Sequence, residues 1–96
     1  MSDQVPAEAG QVGVCVKYLA DLRERSGCSE ETLKFGQGCV LADLFEHIKQ
    51  EHGVDAQGNR VIAVYNGRGV SQLDEGVRTP LADKDTLLLL PLLSGG

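Results

Sequence analysis

The chain has few aromatic residues, little cysteine and a shortage of positive charge. Of its 96 residues none is Trp, and only Tyr18, Phe35, Phe45 and Tyr65 carry benzene rings. Leu and Val must therefore fill whatever core forms. Cys15, Cys28 and Cys39 are an odd count at wide spacings, with no C-x-x-C among them. That pattern gives no support to a zinc ribbon or a thioredoxin-type site. It fits a reducing compartment, and a cytoplasmic protein is expected. Cys15 lies within an alternating strand pattern and is expected to act as a small buried hydrophobe. Cys28 and Cys39 sit near turns, positions that suit an exposed thiol. Nine Lys and Arg face 14 Asp and Glu, for a net charge of −5 and an isoelectric point near 4.8. Phosphate backbones require clustered basic residues, so nucleic acid is not an expected partner. The acidity suits a partner with a basic surface and equally serves solubility. Met1 to Gly10 is small and polar, with no apolar stretch of the kind a signal peptide carries. The apolar run from Thr86 to Leu93 falls far short of the roughly 20 residues a membrane helix needs.

What remains is ordinary globular composition, 42% hydrophobic and 24% charged, in a chain long enough for one domain with a modest core. A flexible leader (1–10), one folded domain (11–92) and a flexible tail (93–96) are expected. Val12, Val14, Val16 and Tyr18 share one face of a strand, with Gly13, Cys15 and Lys17 on the other. Ala20 to Arg25 is rich in helix formers and predicts a short helix ended by Gly27. Ser29 to Phe35 predicts a second strand, broken by Gly36-Gln37-Gly38. Leu41, Leu44, Phe45 and Ile48 fall at i, i+3, i+4 and i+7, so Leu41 to His52 predicts the main helix, with Gly53 as its cap. Arg60 to Tyr65 predicts a third main strand, closed by the turn pair Asn66-Gly67. Val70 to Leu73 suits a short edge strand. Leu81 to Asp85 reads as a turn into the last strand, Thr86 to Leu92.

Leu87 to Leu90 is apolar at every position. A strand covered on one side only should alternate with polar residues, so its second face is a candidate docking surface. Coverage by the segment Gln72 to Pro80 is the competing explanation. The strand then runs into Leu93-Ser94-Gly95-Gly96. Glycine permits close backbone approach, and four extended residues reach about 13 Å. A frayed terminus and a carboxylate on a thin arm that enters a narrow site both fit this ending. The element order β-β-α-β-(β)-β predicts an α+β, β-grasp (ubiquitin-like) fold: a mixed four- to five-stranded sheet with one main helix packed on one face.

Other signals are weaker. His47 and His52 are five apart, not the four of a helical metal pair, and are expected on a solvated surface. Gly36-x-Gly38 and Gly67-x-Gly69 lack the third glycine of a dinucleotide fingerprint. Asp83 and Asp85 lack the further ligands of a calcium loop and are expected to serve the turn. Asp21, Glu24, Glu30 and Glu31 suit either an acidic partner-facing patch or a solvated face.

Four segments in order resemble a known family. They are Val14-x-Val16-Lys17-Tyr18-Leu19-Ala20-x-Leu22-Arg23-Glu24-x-x-Gly27, the helix start Val40-Leu41-Ala42-Asp43-Leu44, the turn Leu81-x-Asp83-x-Asp85, and the ending Pro91-x-x-x-Gly95-Gly96. Together they look like the small subunit of molybdopterin synthase, a ubiquitin-like sulfur carrier. The resemblance implies an E1-like adenylating enzyme that uses ATP and Mg²⁺ to activate the carboxylate of Gly96, which sulfur then converts to a thiocarboxylate. It implies no cofactor bound by this chain and no catalytic residue or metal of its own. It further implies insertion of Leu93, Ser94, Gly95 and Gly96 into the large subunit of molybdopterin synthase, with Leu19 and Leu90 as apolar partner-facing residues. Relatives on the same scaffold serve tungsten-pterin, thiazole, tRNA-thiolation and cysteine pathways, or modify proteins as ubiquitin does. The chain departs from the family in a longer Gln72 to Thr79 segment, in Lys84 at a usual glycine, and in leucines where phenylalanines are common in the last strand.

Overall fold

A computed structural model describes residues 10–58 and 60–92. The expected leader, apart from Gly10, and the expected 93–96 tail lie outside those residues. The elements are β1 (Gln11–Tyr18), α1 (Leu22–Ser26), β2 (Glu30–Gly36), α2 (Leu41–His52), β3 (Val61–Tyr65), β4 (Arg68–Gly69) and β5 (Thr86–Pro91), with single 3₁₀ turns at Val70–Gln72 and Gly76–Arg78. The strands form one sheet in the order β2-β1-β5-β3-β4. β1 and β5 run parallel at its centre, and the other neighbours are antiparallel. With α2 packed across one face, this is the β-grasp arrangement.

The alternation of β1 decides the core. Val14, Val16 and Tyr18 are fully buried beneath α2, as are Leu87 and Leu89 of β5. Leu41, Leu44, Phe45 and Ile48 meet them from the helix. Val40 is the last extended residue before α2, and the Asp43 carboxylate accepts its N–H at 2.9 Å. Gly53, with φ at +71°, ends the helix in the left-handed conformation that glycine adopts without steric cost.

Three expectations shift. The first helix begins at Leu22, not Ala20, because Ala20 takes φ +56° and cannot belong to a right-handed helix. The edge strand is Arg68–Gly69, not Val70 to Leu73. Asn66 and Gly67, at φ +52° and +87°, form a tight hairpin turn that pairs Tyr65 with Arg68 at once. The chain then curls away so that Val70, Leu73 and Val77 pack against the core. Cys15 is half-buried on the sheet face away from α2, while Cys28 and Cys39 pack against the core.

The turn before β5 fastens it to β1. Asp83 Oδ1 accepts the Gly13 N–H at 2.7 Å, and the Lys84 N–H bonds the Gly13 carbonyl at 2.7 Å. Asp85 Oδ2 accepts the Ala82 N–H at 2.9 Å and the hydroxyl of Tyr65. Burial, and then that bond, push the Tyr65 phenol well above its ordinary range. Lys84 holds φ +72°, a conformation that costs a residue with a Cβ about 1–2 kcal/mol. Lys84→Gly should therefore raise unfolding free energy by roughly 0.5–1 kcal/mol after the looser unfolded chain is allowed for, measured by urea denaturation.

Candidate functional site: the open sheet face

The side of the sheet opposite α2 carries the candidate site. On β5, Leu87 and Leu89 point into the core, so Leu88 and Leu90 point outward, each half-buried. The ladder places Lys17 beside Leu88 and Val64 on its other side. One step on, Ile62 lies beside Leu90. The Leu19 N–H bonds the Leu89 carbonyl at 3.0 Å, which carries the parallel register past the end of β1 and puts Leu19 across from Leu90. The result is an apolar row across three strands, Leu19–Leu90–Ile62. Leu19 and Ile62 are 40% and 38% exposed, and Leu92, where β5 leaves the sheet, is 50% exposed. These three are the exposed large hydrophobic residues among those described.

Of the residues expected to meet a partner, Leu19 and Leu90 are thus brought together on one face. Leu93, Ser94, Gly95 and Gly96 lie outside the described residues. The last described ladder bond, from the Leu92 N–H to the Arg60 carbonyl at 2.8 Å, fixes where that segment departs. Ile62 and Val64 were missed by the sequence reading, which took Arg60 to Tyr65 as one compact apolar run. The signal was present in their parity: Val61, Ala63 and Tyr65 face the helix, so the even residues must face out.

The segment Gln72 to Pro80 does not cover this face. Leu41 donates to the Thr79 carbonyl at 3.0 Å, Val40 bridges Pro80, and Val77 packs on the core, all on the helix side. The open face also divides by polarity. Its β5–β3 half is apolar, whereas Thr32, Lys34, Glu30 and Lys17 make the β2–β1 half polar. A cross-strand pair, Lys17 with Glu30, marks the border.

A second cluster lies on the helix flank. His52 and His47 are not on a solvated surface. His52 Nε2 meets Glu31 Oε2 at 2.8 Å, and the same carboxylate accepts the Tyr18 hydroxyl at 2.6 Å. Tyr18 and His52 pack edge to face at 5.6 Å, as do Phe35 and His47. Glu31 therefore belongs to a seam between β2 and α2, while Asp21, Glu24 and Glu30 remain exposed. Among the described residues no three His, Cys, Asp or Glu side chains converge to hold a metal ion, and no helix is long and apolar enough to cross a membrane.

The body and its open face define a ubiquitin-like β-grasp domain. Residues 16–96 match the ThiS family, and the chain belongs to that family of ubiquitin-like sulfur carriers. Among solved structures, a molybdopterin converting factor subunit 1 from Pyrococcus furiosus is 30% identical, with a TM-score of 0.71 over 85% of this chain and 99% of that one. Small archaeal modifier protein 1 from Methanosarcina acetivorans is 27% identical, with a TM-score of 0.70 over 90% and 98%. The HVO 2177 protein from Haloferax volcanii shares the fold at 24% identity, with a TM-score of 0.75 over 91% and 89%. Among curated proteins none matches.

The Glu31 seam gives a pH dependence with a definite sign. Burial alone would raise the Glu31 carboxyl, but hydrogen bonds from Tyr18 and His52 and the nearby histidine charge outweigh it and leave it below its ordinary value of 4.5. A carboxyl depressed in the folded state contributes stability above the unfolded value and loses it as pH falls through the folded one. Acid unfolding of Glu31→Gln should accordingly be less steep below about pH 4.5 than that of the parent, as followed by circular dichroism. A parallel slope would remove Glu31 from the seam's energetics.

Proposed function

We propose that this chain is the sulfur carrier of molybdopterin synthesis, with Gly96 as the residue that carries sulfur. The observation behind this reading is the family match, which extends to Gly96. The resemblance to the Pyrococcus furiosus converting factor supports the molybdopterin pathway over the others served by the scaffold. A carboxylate is a poor acyl donor. Its oxygen attacks the α-phosphate of ATP in an E1-like enzyme, where Mg²⁺ assists, and pyrophosphate leaves. Sulfide-level sulfur from the donor then attacks the carbonyl carbon of the acyl adenylate, the bond to the phosphate oxygen breaks, AMP leaves, and Gly96 ends in a thiocarboxylate.

The loaded tail enters the large subunit of molybdopterin synthase, where its sulfur passes to the pterin precursor. Gly95 and Gly96 suit this path because a Cβ at either position would widen an arm that must enter two active sites. Catalytic groups and cofactor chemistry belong to the partners. The chain supplies a docking face and a reach. Leu19, Leu90 and Ile62 present the apolar centre of that face, and Lys17 offers a charge at its border.

Intact-mass measurement after incubation with an activating enzyme, ATP, Mg²⁺ and a sulfur donor tests the carrier step. The expected change is replacement of one oxygen by sulfur at Gly96, absent from a variant lacking Gly96 that keeps its thermal midpoint. Adducts on lysines of other proteins would support instead the modifier role named for the Methanosarcina relative. Leu90→Asp should weaken binding to the large synthase subunit at least about tenfold with little loss of stability, because the side chain faces outward. Leu89→Asp, fully buried, should unfold the domain. Equal destabilisation by both would place Leu90 in the core and refute its docking role.

A further inference from the structure

Strand β2 forms one border of the sheet, and among the described residues no strand pairs its outer edge. Hydrogen bonds from the Tyr18 N–H to the Ser29 carbonyl and from the Gln37 N–H to the Gly10 carbonyl, at 2.8 and 3.2 Å, fix the phase of the β1–β2 ladder at both ends. In an antiparallel ladder, pairs that exchange hydrogen bonds alternate with pairs that do not. Glu31, Leu33 and Phe35 therefore bond β1, and Glu30, Thr32 and Lys34 turn their N–H and C=O groups away from it. The side chains of Glu30, Thr32 and Lys34 are exposed on the sheet face opposite α2, while Glu31, Leu33 and Phe35 are half-buried on the helix side.

Exposed charges on an edge strand commonly guard it against pairing. Here their order leaves one partner that they favour. Glu30 and Lys34 carry opposite charges on either side of the neutral Thr32, so the edge is complementary to itself when read backwards. Two copies related by a two-fold axis beside Thr32 set Glu30 of each opposite Lys34 of the other. An axis at Glu30 or at Lys34 sets like charges face to face, an axis at Glu31 does so on the helix side, and an axis at Leu33 leaves both charges without an opposite one. The neighbours on β1 extend the match. Lys17 stands beside Glu30, and Gly13, whose N–H the Asp83 carboxylate accepts at 2.7 Å, stands beside Lys34. Gly13 has no side chain to separate them, so Lys34 and Asp83 line one shallow depression together with Gln11. The row across two copies thus runs Lys17, Glu30, Lys34, Asp83, with the sign of charge alternating at every step.

We propose that β2 is a homodimer seam, in which two copies of this chain pair antiparallel through Glu30, Thr32 and Lys34 about a two-fold axis beside Thr32. The sheet continues from one copy into the other, and each copy closes the other's edge, so this contact ends at two. The net charge of −5 on each copy opposes association at long range, and the seam is correspondingly weak. β1 lies between the seam and the Leu90–Ile62 part of the open face, so the dimer presents two such faces.

The test is sedimentation equilibrium of the full chain, with reductant, from about 20 µM to about 1 mM. A contact that adds only one strand pair falls at the weak end of association, and dimer should form over roughly 0.1–1 mM. Glu30→Lys and Lys34→Glu, each alone, set like charges opposite one another and should weaken association at least about tenfold. Mixed in equal amounts, the two variants should associate again, because each then meets its complement, and a folding defect cannot produce that recovery. Thr32→Pro deletes an outward N–H without touching the β1 ladder and should leave a folded monomer by circular dichroism. Concentration-dependent amide shifts in the parent should centre on Glu30, Thr32 and Lys34. A monomer over the whole range, a mixture no tighter than its components, or shifts centred on Leu88 and Leu90 or on Val61 and Ala63 would overturn the proposal. So would slow hydrogen exchange of the Thr32 amide in dilute solution, since the edge would then be covered within a single copy.

Discussion

The parallel pairing of β1 with β5 is the constraint from which the rest follows. Parallel neighbours cannot be joined by a tight turn, so a crossover of about a dozen residues or more must pass between them. In this domain that crossover contains both helices and three further strands. The pair needs local fastening, and the turn Ala82–Asp85 provides it: the Asp83 carboxylate accepts the Gly13 N–H, the Lys84 N–H donates to the Gly13 carbonyl, and the Asp85 carboxylate gathers Ala82 and Tyr65. Fixing this register also fixes parity. Leu87 and Leu89 go under the helix, and Leu88 and Leu90 go out. A slip of one residue would exchange the two sets, but both sets are leucine. Sequence pattern within β5 therefore says little about its register, and the Asp83–Asp85 turn must specify it.

Much of the fold was legible because helix α2 and strand β1 carry clear periods. The i, i+3, i+4, i+7 stripe of Leu41, Leu44, Phe45 and Ile48 precedes a glycine cap, and the alternation of Val12 to Tyr18 leaves no ambiguity about its buried face. The site was legible in part. A strand with no polar residues pointed to a second apolar surface, and Leu19 and Leu90 fell on it. Ile62 was hidden because a run of Val, Ile, Ala, Val and Tyr shows no polar partner to reveal its parity. The histidines were misplaced for a different reason. Helical spacing tells whether two residues share a face with each other, but not which strand edge that face meets. Only the packing of α2 over β2 brings Glu31, Tyr18 and His52 to one point. Ala20 shows the limit of propensity, since alanine is the best helix former and yet sits here in a left-handed turn.

The domain belongs to the ThiS family, and its surface has two features that composition alone merges. The open face is flat and apolar, with side chains supplying the contact. The β3 edge offers unpaired backbone groups beside a largely apolar recess. A flat face discriminates by shape and hydrophobic area, whereas an edge discriminates by peptide direction and side-chain alternation. The short β4, only Arg68–Gly69, is what leaves the edge of β3 free.

The bond between Leu92 and Arg60 is the last point at which the described chain is fastened to the sheet. From Leu90 to Gly96 there are six residues, which span at most about 20 Å even when fully extended. A partner that gripped the Leu19–Leu90–Ile62 row and acted on Gly96 would therefore hold its reacting atoms within that radius of its own grip. The sheet thus sets an upper limit on the architecture of proteins it never resembles: two unrelated partners sharing this chain would share a distance before they share any sequence.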